Sequence, residues 1–237
     1  MILLLQFRSD ASGPHEIKCV YEAGSLPFSE YRILNATDES LTASEIQENA
    51  EGARAIILGG LGETGYEETD PEKLAHFQAM RNKLASALAP LIKTNKPMFG
   101  MCFGHQLLAD LLGGTVEVRK NLAETGIADI NLTVAGQADP LFVGLPHNFK
   151  AVVGHKCSVT SLPETAVVLA RTERCPIQAF RFGNIVGTQF HPEMNYDDLI
   201  YRLGLYPEYA ANSLEYDENP DIQAKKITEN FLLHIKK

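Results

Sequence analysis

The stretch Pro97-Met98-Phe99-Gly100-Met101-Cys102-Phe103-Gly104-His105-Gln106 decides the fold, because an apolar strand runs directly into a helix at one cysteine. The apolar residues after Cys102 recur at helical spacing until Gly113-Gly114 ends the pattern. A glycine stands two residues before and two residues after the cysteine, where a tight turn would make Cβ atoms collide. The stretch therefore predicts a nucleophile elbow, with Cys102 at the start of a helix.

Cys102 is predicted to be reactive for an electrostatic reason. The N-terminus of a helix carries partial positive charge and backbone amides without partners, and both favour thiolate over thiol. The alternative is a buried, inert cysteine, because free cysteine is among the most buried residue types. The elbow favours the reactive interpretation.

A histidine and a glutamate follow the last predicted strand, in Gln189-Phe190-His191-Pro192-Glu193. Residues two apart in an extended segment point to the same side, so Glu193 can hold the imidazole of His191 in one tautomer. The alternative is a solvated surface turn. Together with the elbow, the pair predicts a catalytic triad of Cys102, His191 and Glu193. His105 is closer in sequence, but the helix carries it away from Cys102, and we expect it to be a packing or interface residue.

Apolar runs of strand length alternate with polar or helical segments in the first half of the chain. The runs cover residues 2–7, 31–34, 53–58 and 97–101, and this alternation predicts βαβ units and a parallel sheet. A long helix is predicted to begin at Asp70-Pro71-Glu72, where an N-cap residue precedes a proline at the first helical position.

The second half of the chain consists mainly of short strands separated by turns. Runs at 115–118, 127–134, 151–153, 166–170, 177–182 and 185–190 predict an antiparallel or mixed extension of the sheet. The acidic, tyrosine-rich segment 197–218 has weak periodicity, and a final helix is predicted to follow an Asn219-Pro220-Asp221 cap. Neither repeats nor linkers are found, so residues 1–237 are expected to form a single domain.

Composition excludes several classes of function. The formal net charge of −9 and the lack of a Lys/Arg cluster argue against nucleic acid or a membrane surface as the main partner. The first apolar run, residues 1–5, is too short for a signal sequence or a membrane span. Four cysteines without a CxxC pair indicate neither a disulfide framework nor a zinc site. We expect a cytoplasmic protein with reduced thiols and no metal.

Gly60-Leu61-Gly62-Glu63-Thr64-Gly65 matches the G-x-G-x-x-G pattern of dinucleotide-binding proteins. In that fingerprint the helix opens within the motif and holds the pyrophosphate with its N-terminal amides. Here the acidic residues Glu67, Glu68 and Asp70 intervene before the predicted helix. Dinucleotide binding is therefore rejected.

Two motifs in order along the chain carry a resemblance to a known family. Residues Gly100 to Gln106 match G-x-C-x-G-x-Q, and Phe190-His191-Pro192-Glu193 matches F-H-P-E. The chain thereby resembles class I glutamine amidotransferases, and in particular the amidotransferase domain of GMP synthetase and its small stand-alone relatives. The resemblance implies an α/β fold, a flavodoxin-like three-layer sandwich with a mixed, mainly parallel central sheet.

The resemblance also implies roles for residues around the triad. The backbone amides of Gly60 and Phe103 would form the oxyanion hole. Contacts with the glutamine substrate are expected from four residues: Gly62, Gln106, Gly154 and His155. The sequence departs from the family at Leu61, where many members have proline, and at Lys156, where glycine is usual.

The implied activity is hydrolysis of the glutamine side-chain amide through a γ-glutamyl thioester, without a metal or organic cofactor. We expect the ammonia to pass to a separate synthetase subunit, because the sequence has no S-G-G-x-D-S motif of the ATP pyrophosphatase type. A γ-glutamyl peptidase using the same triad is one alternative. A non-catalytic regulatory protein with this fold is the second, and the intact triad argues against it.

Overall fold

A mixed sheet of nine strands forms the centre of the computed structural model, which describes residues 1–62, 65–206 and 222–235. The order across the sheet is β2-β1-β3-β4-β11-β10-β9-β6-β7, and β5 and β8 form a separate antiparallel pair. The strands are β1 (Ile2–Phe7), β2 (Tyr31–Asn35), β3 (Ala55–Leu61), β4 (Met98–Met101), β5 (Thr115–Val118), β6 (Glu124–Leu132), β7 (Asn148–His155), β8 (Cys157–Ser161), β9 (Val167–Arg171), β10 (Ala179–Phe182) and β11 (Ile185–Thr188).

The large sheet divides into a parallel half and an antiparallel half. The neighbours β2, β1, β3, β4 and β11 all pair in parallel. From β11 onward, β10, β9, β6 and β7 pair in antiparallel fashion. The predicted mixed sheet and its antiparallel extension are confirmed, although the antiparallel part is as extensive as the parallel part rather than a minor addition.

Helices cover both faces of the sheet and make the three predicted layers. They are α1 (Ser12–Gly24), α2 (Ala43–Gly52), α3 (Pro71–Lys93), α4 (Phe103–Leu111), α5 (Val134–Ala138), α6 (Tyr196–Leu205) and α7 (Lys225–His234). Successive residues of β1 point to opposite faces, as strand geometry requires. Leu4 packs in one core with residues of α1 and α7, and Leu5 packs in the other core with residues of α2, α3 and α4.

Local capping chemistry explains where two of the helices begin. The Asp70 side chain accepts hydrogen bonds from the backbone amides of Glu72 and Lys73, which confirms the predicted start of α3. Asn195 and Asp198 form a reciprocal capping box at the start of α6, in a segment whose weak periodicity predicted no element. Helix α7 confirms the final predicted helix, while its predicted cap, Asn219-Pro220-Asp221, lies outside the described residues.

In the described part of the chain, every helix is too short or too polar to cross a bilayer.

Candidate active site

Cys102 occupies a sharp turn between β4 and α4. Its backbone has φ 51° and ψ −102°, a conformation that costs energy in a residue with a Cβ and that is typical of functional turns. A Cβ on Gly100 would lie 2.4 Å from the Gly104 backbone, and one on Gly104 would lie 2.3 Å from the Leu58 carbonyl oxygen. The predicted elbow is confirmed. Both positions need glycine because a Cβ atom at either one would collide with the backbone of the turn.

His191 and Glu193 form a buried pair beside the elbow. His191 Nδ1 lies 2.8 Å from Glu193 Oε1, and the His191 amide donates to the Val152 carbonyl oxygen at 2.8 Å. Burial lowers the pKa of His191, but the charges of Glu193 and Cys102 outweigh it and raise this pKa to about 10. Burial also opposes the charged form of Glu193, yet His191 and Arg202 hold its pKa below the usual range. The pair therefore favours an imidazolium at His191 and a carboxylate at Glu193.

The thiol of Cys102 has two further polar neighbours. Its Sγ lies 3.8 Å from the Gly154 carbonyl oxygen and 3.8 Å from Nε2 of Gln189, a residue to which the sequence assigned no role. The predicted substrate contact Gln106 donates instead to the Cys157 carbonyl oxygen at 2.9 Å and to Gln189 Oε1 at 3.1 Å. Gln106 thus supports Gln189 rather than lining the cavity described below.

The two predicted oxyanion donors differ in their surroundings. Phe103 is the first residue of α4, where backbone amides have no partner within the helix. The Gly60 amide, in contrast, already donates to Glu16 Oε1 at 2.8 Å. A buried carboxylate from α1 thus accepts the Gly60 N–H in the structure, and the predicted role of this amide at the oxyanion stays a prediction.

Glu16 belongs to a set of buried charges that the sequence did not reveal. Arg8 Nε lies 3.2 Å from Glu16 Oε1, and Arg8 Nη1 donates to Ser12 Oγ at 3.1 Å. Arg202, on α6, is also buried, and its Nε donates to His15 Nδ1 at 3.0 Å. One feature of the sequence could have identified Arg8 as a site residue: it directly follows a buried strand, and α/β sheets bind ligands at the carboxyl ends of their strands.

A cavity of about 330 Å³ lies against this site. Gly62 and Gly154, two of the predicted substrate contacts, line it, whereas His155 does not. His155 Nε2 instead lies 3.3 Å from Glu124 Oε2. Among the described residues, four cationic side chains and no carboxylate line the cavity: the cations are Arg8, Lys73, Lys156 and Arg202. The cavity therefore favours an anionic ligand.

Comparison with known proteins identifies the family to which the chain belongs. Residues 29–198, well over half of the chain, match the model of "Glutamine amidotransferase class-I". The chain belongs to the class I glutamine amidotransferase family. The elbow at Cys102 and the pair of His191 and Glu193 lie at the two motifs by which the sequence resembled this family.

Curated relatives of this amidotransferase include two archaeal proteins. The chain is 40% identical over 102 residues to a glutamine-hydrolysing GMP synthase subunit of Pyrococcus abyssi, covering 42% of this chain and 52% of that one. It is 40% identical over 111 residues to a glutamine-hydrolysing GMP synthase of Aeropyrum pernix, covering 46% of this chain and 21% of that one. The chain thus spans about half the length of the Pyrococcus relative and about a fifth of the Aeropyrum relative.

Solved structures share the fold of this amidotransferase over nearly the whole chain. A glutamine amidotransferase from Thermotoga maritima is 19% identical with a TM-score of 0.71, covering 99% of this chain and 96% of that one. A glutamine amidotransferase from Methylobacillus flagellatus is 20% identical with a TM-score of 0.71, covering 99% of this chain and 93% of that one. These likenesses confirm the predicted α/β fold.

Two groups of potential metal ligands occur in the described part of the amidotransferase. They are His15, Cys19 and Asp198, and Glu124, His155 and Cys175. In the first group the cationic Arg202 already donates to His15. In the second, the Gln178 amide already donates to Glu124. Both groups are hydrogen-bonded networks, and we assign a metal to neither.

Proposed function

We propose that this chain hydrolyses the side-chain amide of glutamine with Cys102 as the nucleophile, His191 as the acid and base, and Glu193 as the group that orients His191. The observation that carries the proposal is the 2.8 Å contact between His191 Nδ1 and Glu193, buried beside a cysteine on a strained elbow. This is the arrangement by which a base activates a nucleophile in acyl transfer.

The chemistry follows from the protonation states. The Cys102 thiolate attacks the γ-carbonyl carbon, and the raised pKa of His191 keeps a proton available for the departing ammonia. Neutral His191 then takes a proton from water, which attacks the γ-glutamyl thioester and releases glutamate. The Phe103 amide donates to the oxyanion in both steps. The elements of the site supply every group required, so neither step calls for a metal or an organic cofactor.

We further propose that the ammonia is delivered to a separate synthetase subunit of the GMP synthetase type. Support comes from the similarity to a protein named as a subunit of a glutamine-hydrolysing GMP synthase. A protein that forms one subunit of a synthase needs a further subunit to complete the reaction, and that further subunit would use the ammonia. Co-purification of the chain with a synthetase from its own organism would identify this partner.

The test of the proposed reaction is ammonia release from glutamine, measured with and without the co-purified synthetase. The wild-type chain should release ammonia, and Cys102→Ala should abolish release. The matched control is Cys175→Ala, since the pKa of the buried Cys175 thiol is raised to about 11 by its surroundings. Ammonia release by the Cys102→Ala protein at the wild-type rate would refute the proposal.

A γ-glutamyl peptidase remains the second candidate, and the four cations around the cavity favour it. A γ-glutamyl peptide carries a second carboxylate beyond the scissile bond, and a cationic wall would bind it. The measurement is kcat/KM for glutamine beside that for a γ-glutamyl dipeptide, in wild type and in Lys156→Ala. A tenfold preference for the dipeptide that is lost in the variant would establish the peptidase. Absence of turnover on both substrates, with and without a synthetase, would indicate the non-catalytic alternative.

A further inference from the structure

Gln189 directly follows β11 and is completely buried, and its side-chain Nε2 lies 3.8 Å from Cys102 Sγ. We propose that Gln189 is a catalytic residue whose amide donates a hydrogen bond to the Cys102 thiolate. It thereby stabilises the anion that attacks the substrate and that leaves again at the end of the reaction. The inference rests on the proposed function, since it concerns the nucleophile of that reaction.

The orientation of the Gln189 amide follows from its neighbours. The Cys157 carbonyl oxygen can only accept, and it receives a hydrogen bond from Gln106 Nε2 at 2.9 Å, so the Gln106 amide has one favourable orientation. The same Nε2 carries a second hydrogen, and the atom that it meets at 3.1 Å must be an acceptor, Gln189 Oε1. Nε2 of Gln189 is therefore the atom that faces the sulfur. A backbone carbonyl thus fixes the orientation of both amides.

The backbone holds Gln189 in register with the elbow. Met101 pairs with Thr188, and the Cys102 amide donates to the Thr188 carbonyl oxygen at 2.8 Å. The Gln189 amide N–H donates to the Gln178 carbonyl oxygen, also at 2.8 Å. Main chain and side chain of Gln189 are thus both fixed, and the donor is in position before the substrate arrives. Such preorganisation is the requirement for electrostatic stabilisation in an enzyme.

The two polar neighbours of Sγ favour different protonation states. The Gly154 carbonyl oxygen, 3.8 Å away, can only accept and so favours the thiol. Nε2 of Gln189 can only donate and so favours the thiolate, which is the nucleophilic form. Sulfur is larger than oxygen, so a hydrogen bond to it is longer than the roughly 2.7–3.2 Å of an N–H···O bond. Charge on the acceptor strengthens a hydrogen bond, so this contact gains strength when the thiol ionises.

The same hydrogen bond serves both steps of the proposed reaction. In the first step a sulfur electron pair forms the bond to the γ-carbon, the carbonyl π pair moves to oxygen, and Nε2 loses its anionic acceptor. In the second step the tetrahedral intermediate formed by water collapses, and the pair of the carbon–sulfur bond returns to sulfur. Gln189 then donates to the thiolate again, and a stabilised thiolate is a better leaving group. Gln189 itself gives up no proton, because His191 carries the protons.

Charged and titratable groups also influence the Cys102 thiol. They are His191 after β11, Arg8 after β1 and Cys157 on β8, all within electrostatic reach of Cys102. Gln189→Met leaves each of them in place and removes the amide donor from a side chain of similar length. A change in the pKa of the Cys102 thiol in this variant therefore reports the loss of the donor.

The experiment measures how the rate of Cys102 alkylation by chloroacetamide, an uncharged reagent, depends on pH. It compares wild type, Gln189→Met and Gln137→Met, the last a matched control at an exposed position of α5. Gln189→Met should raise the lower apparent pKa of the Cys102–His191 pair by about one unit, a tenfold smaller thiolate fraction. Because a thiol of higher pKa is also more nucleophilic, alkylation at neutral pH should slow by only about three- to fourfold. Gln137→Met should keep the wild-type profile.

Two further measurements complete the test. Gln189→Asn keeps an amide but is one methylene too short to contact both Gln106 and the sulfur, so it should raise the pKa in the same direction. Ammonia release from glutamine by Gln189→Met should slow by at least the factor seen in alkylation, because the donor also assists the departure of sulfur. Thermal unfolding verifies that each variant is folded under the assay conditions.

An unchanged or lowered pKa of the Cys102 thiol in a folded Gln189→Met protein would overturn the proposal, even if ammonia release fell, since Gln189 would then have only a structural role. If Gln189→Met does not fold, an unchanged pKa in Gln189→Asn would overturn it. Alkylation requires no turnover, so the two proposals can fail separately. A raised pKa in the variants of a protein that releases no ammonia would support the donor role of Gln189 and refute the proposed function.

Discussion

Acidification should destabilise this protein through His105, a histidine buried completely in α4. Its ring packs against Phe180 at a centroid distance of 5.0 Å, and burial lowers its pKa to about 3. The perturbation is a shift from pH 7.5 to pH 5, applied to wild type and to His105→Leu. Leucine fills a similar volume and does not titrate.

The magnitude follows from proton linkage. An unfolded histidine has a pKa of about 6.5, so the unfolded chain takes up a proton at His105 below that pH while the folded chain does not. The stability associated with neutral His105 is therefore fully present above pH 6.5 and is lost as pH falls from 6.5 towards 3. The loss is about 1.4 kcal/mol per pH unit, which gives about 2 kcal/mol at pH 5.

The assay is urea unfolding at several pH values between 7.5 and 5, with His76→Gln as the control on an exposed histidine. Wild type and His76→Gln should lose about 2 kcal/mol more than His105→Leu over this range, whatever the starting stability of each protein. Equal pH slopes in wild type and His105→Leu would refute the reasoning. They would mean that His105 is already accessible to protons in the folded state.

The remaining predictions concern the nucleophile, the base and the elbow. A glutamine-like chloroketone should label Cys102 before the other three cysteines, whose pKa values burial raises, and peptide mapping that finds another cysteine labelled first would contradict this. His191→Ala should lower kcat by about 10²–10⁴-fold, whereas Glu193→Gln should leave a partly active enzyme because an amide can still orient the imidazole; near-wild-type rates in both variants would exclude these roles. Gly104→Ala should destabilise the fold by about 3 kcal/mol in urea unfolding, since its Cβ would meet backbone at 2.3 Å, and a change below about 0.5 kcal/mol would show that the elbow can relax.

Local patterns predicted the parts of the fold that local interactions determine. Strands β1 and β5 were predicted with their observed bounds, and the start of α3 followed from one capping residue. Strand β8 was missed because it pairs only with β5, in a small sheet outside the main one. Helix α6 was missed because its stability comes from a capping box and a few buried contacts rather than from a long apolar stripe. The count of one domain remains a prediction.

In the candidate site too, contacts between residues close in sequence were predictable, and contacts between distant residues were not. His191 and Glu193 lie two residues apart, so strand geometry alone predicted their contact. The contact between Gly60 and Glu16 joins residues 44 positions apart on β3 and α1, and no periodicity in the sequence specifies it. The family resemblance assigned the Gly60 amide to the oxyanion, but a resemblance in motif does not reveal which side chain competes for that amide. The roles of the site residues in catalysis stay predictions.

The order of the strands in the sheet explains which distant residues meet at the site, which the motifs alone do not. Strands β1, β3, β4 and β11 are consecutive neighbours and parallel, so their carboxyl ends meet at one edge of the sheet. The pairing of Met101 with Thr188 puts the next residue of each strand side by side, and Gln189 accordingly reaches Cys102 Sγ at 3.8 Å. The pairing of Phe7 with Leu61 does the same at the other side of the site and brings Arg8 to the glycine-rich turn. Register therefore places the buried cation Arg8, directly after β1, at the edge of the sheet where the Cys102 elbow and the glycine-rich turn lie, and its buried ion pair with Glu16 by itself contributes little to stability.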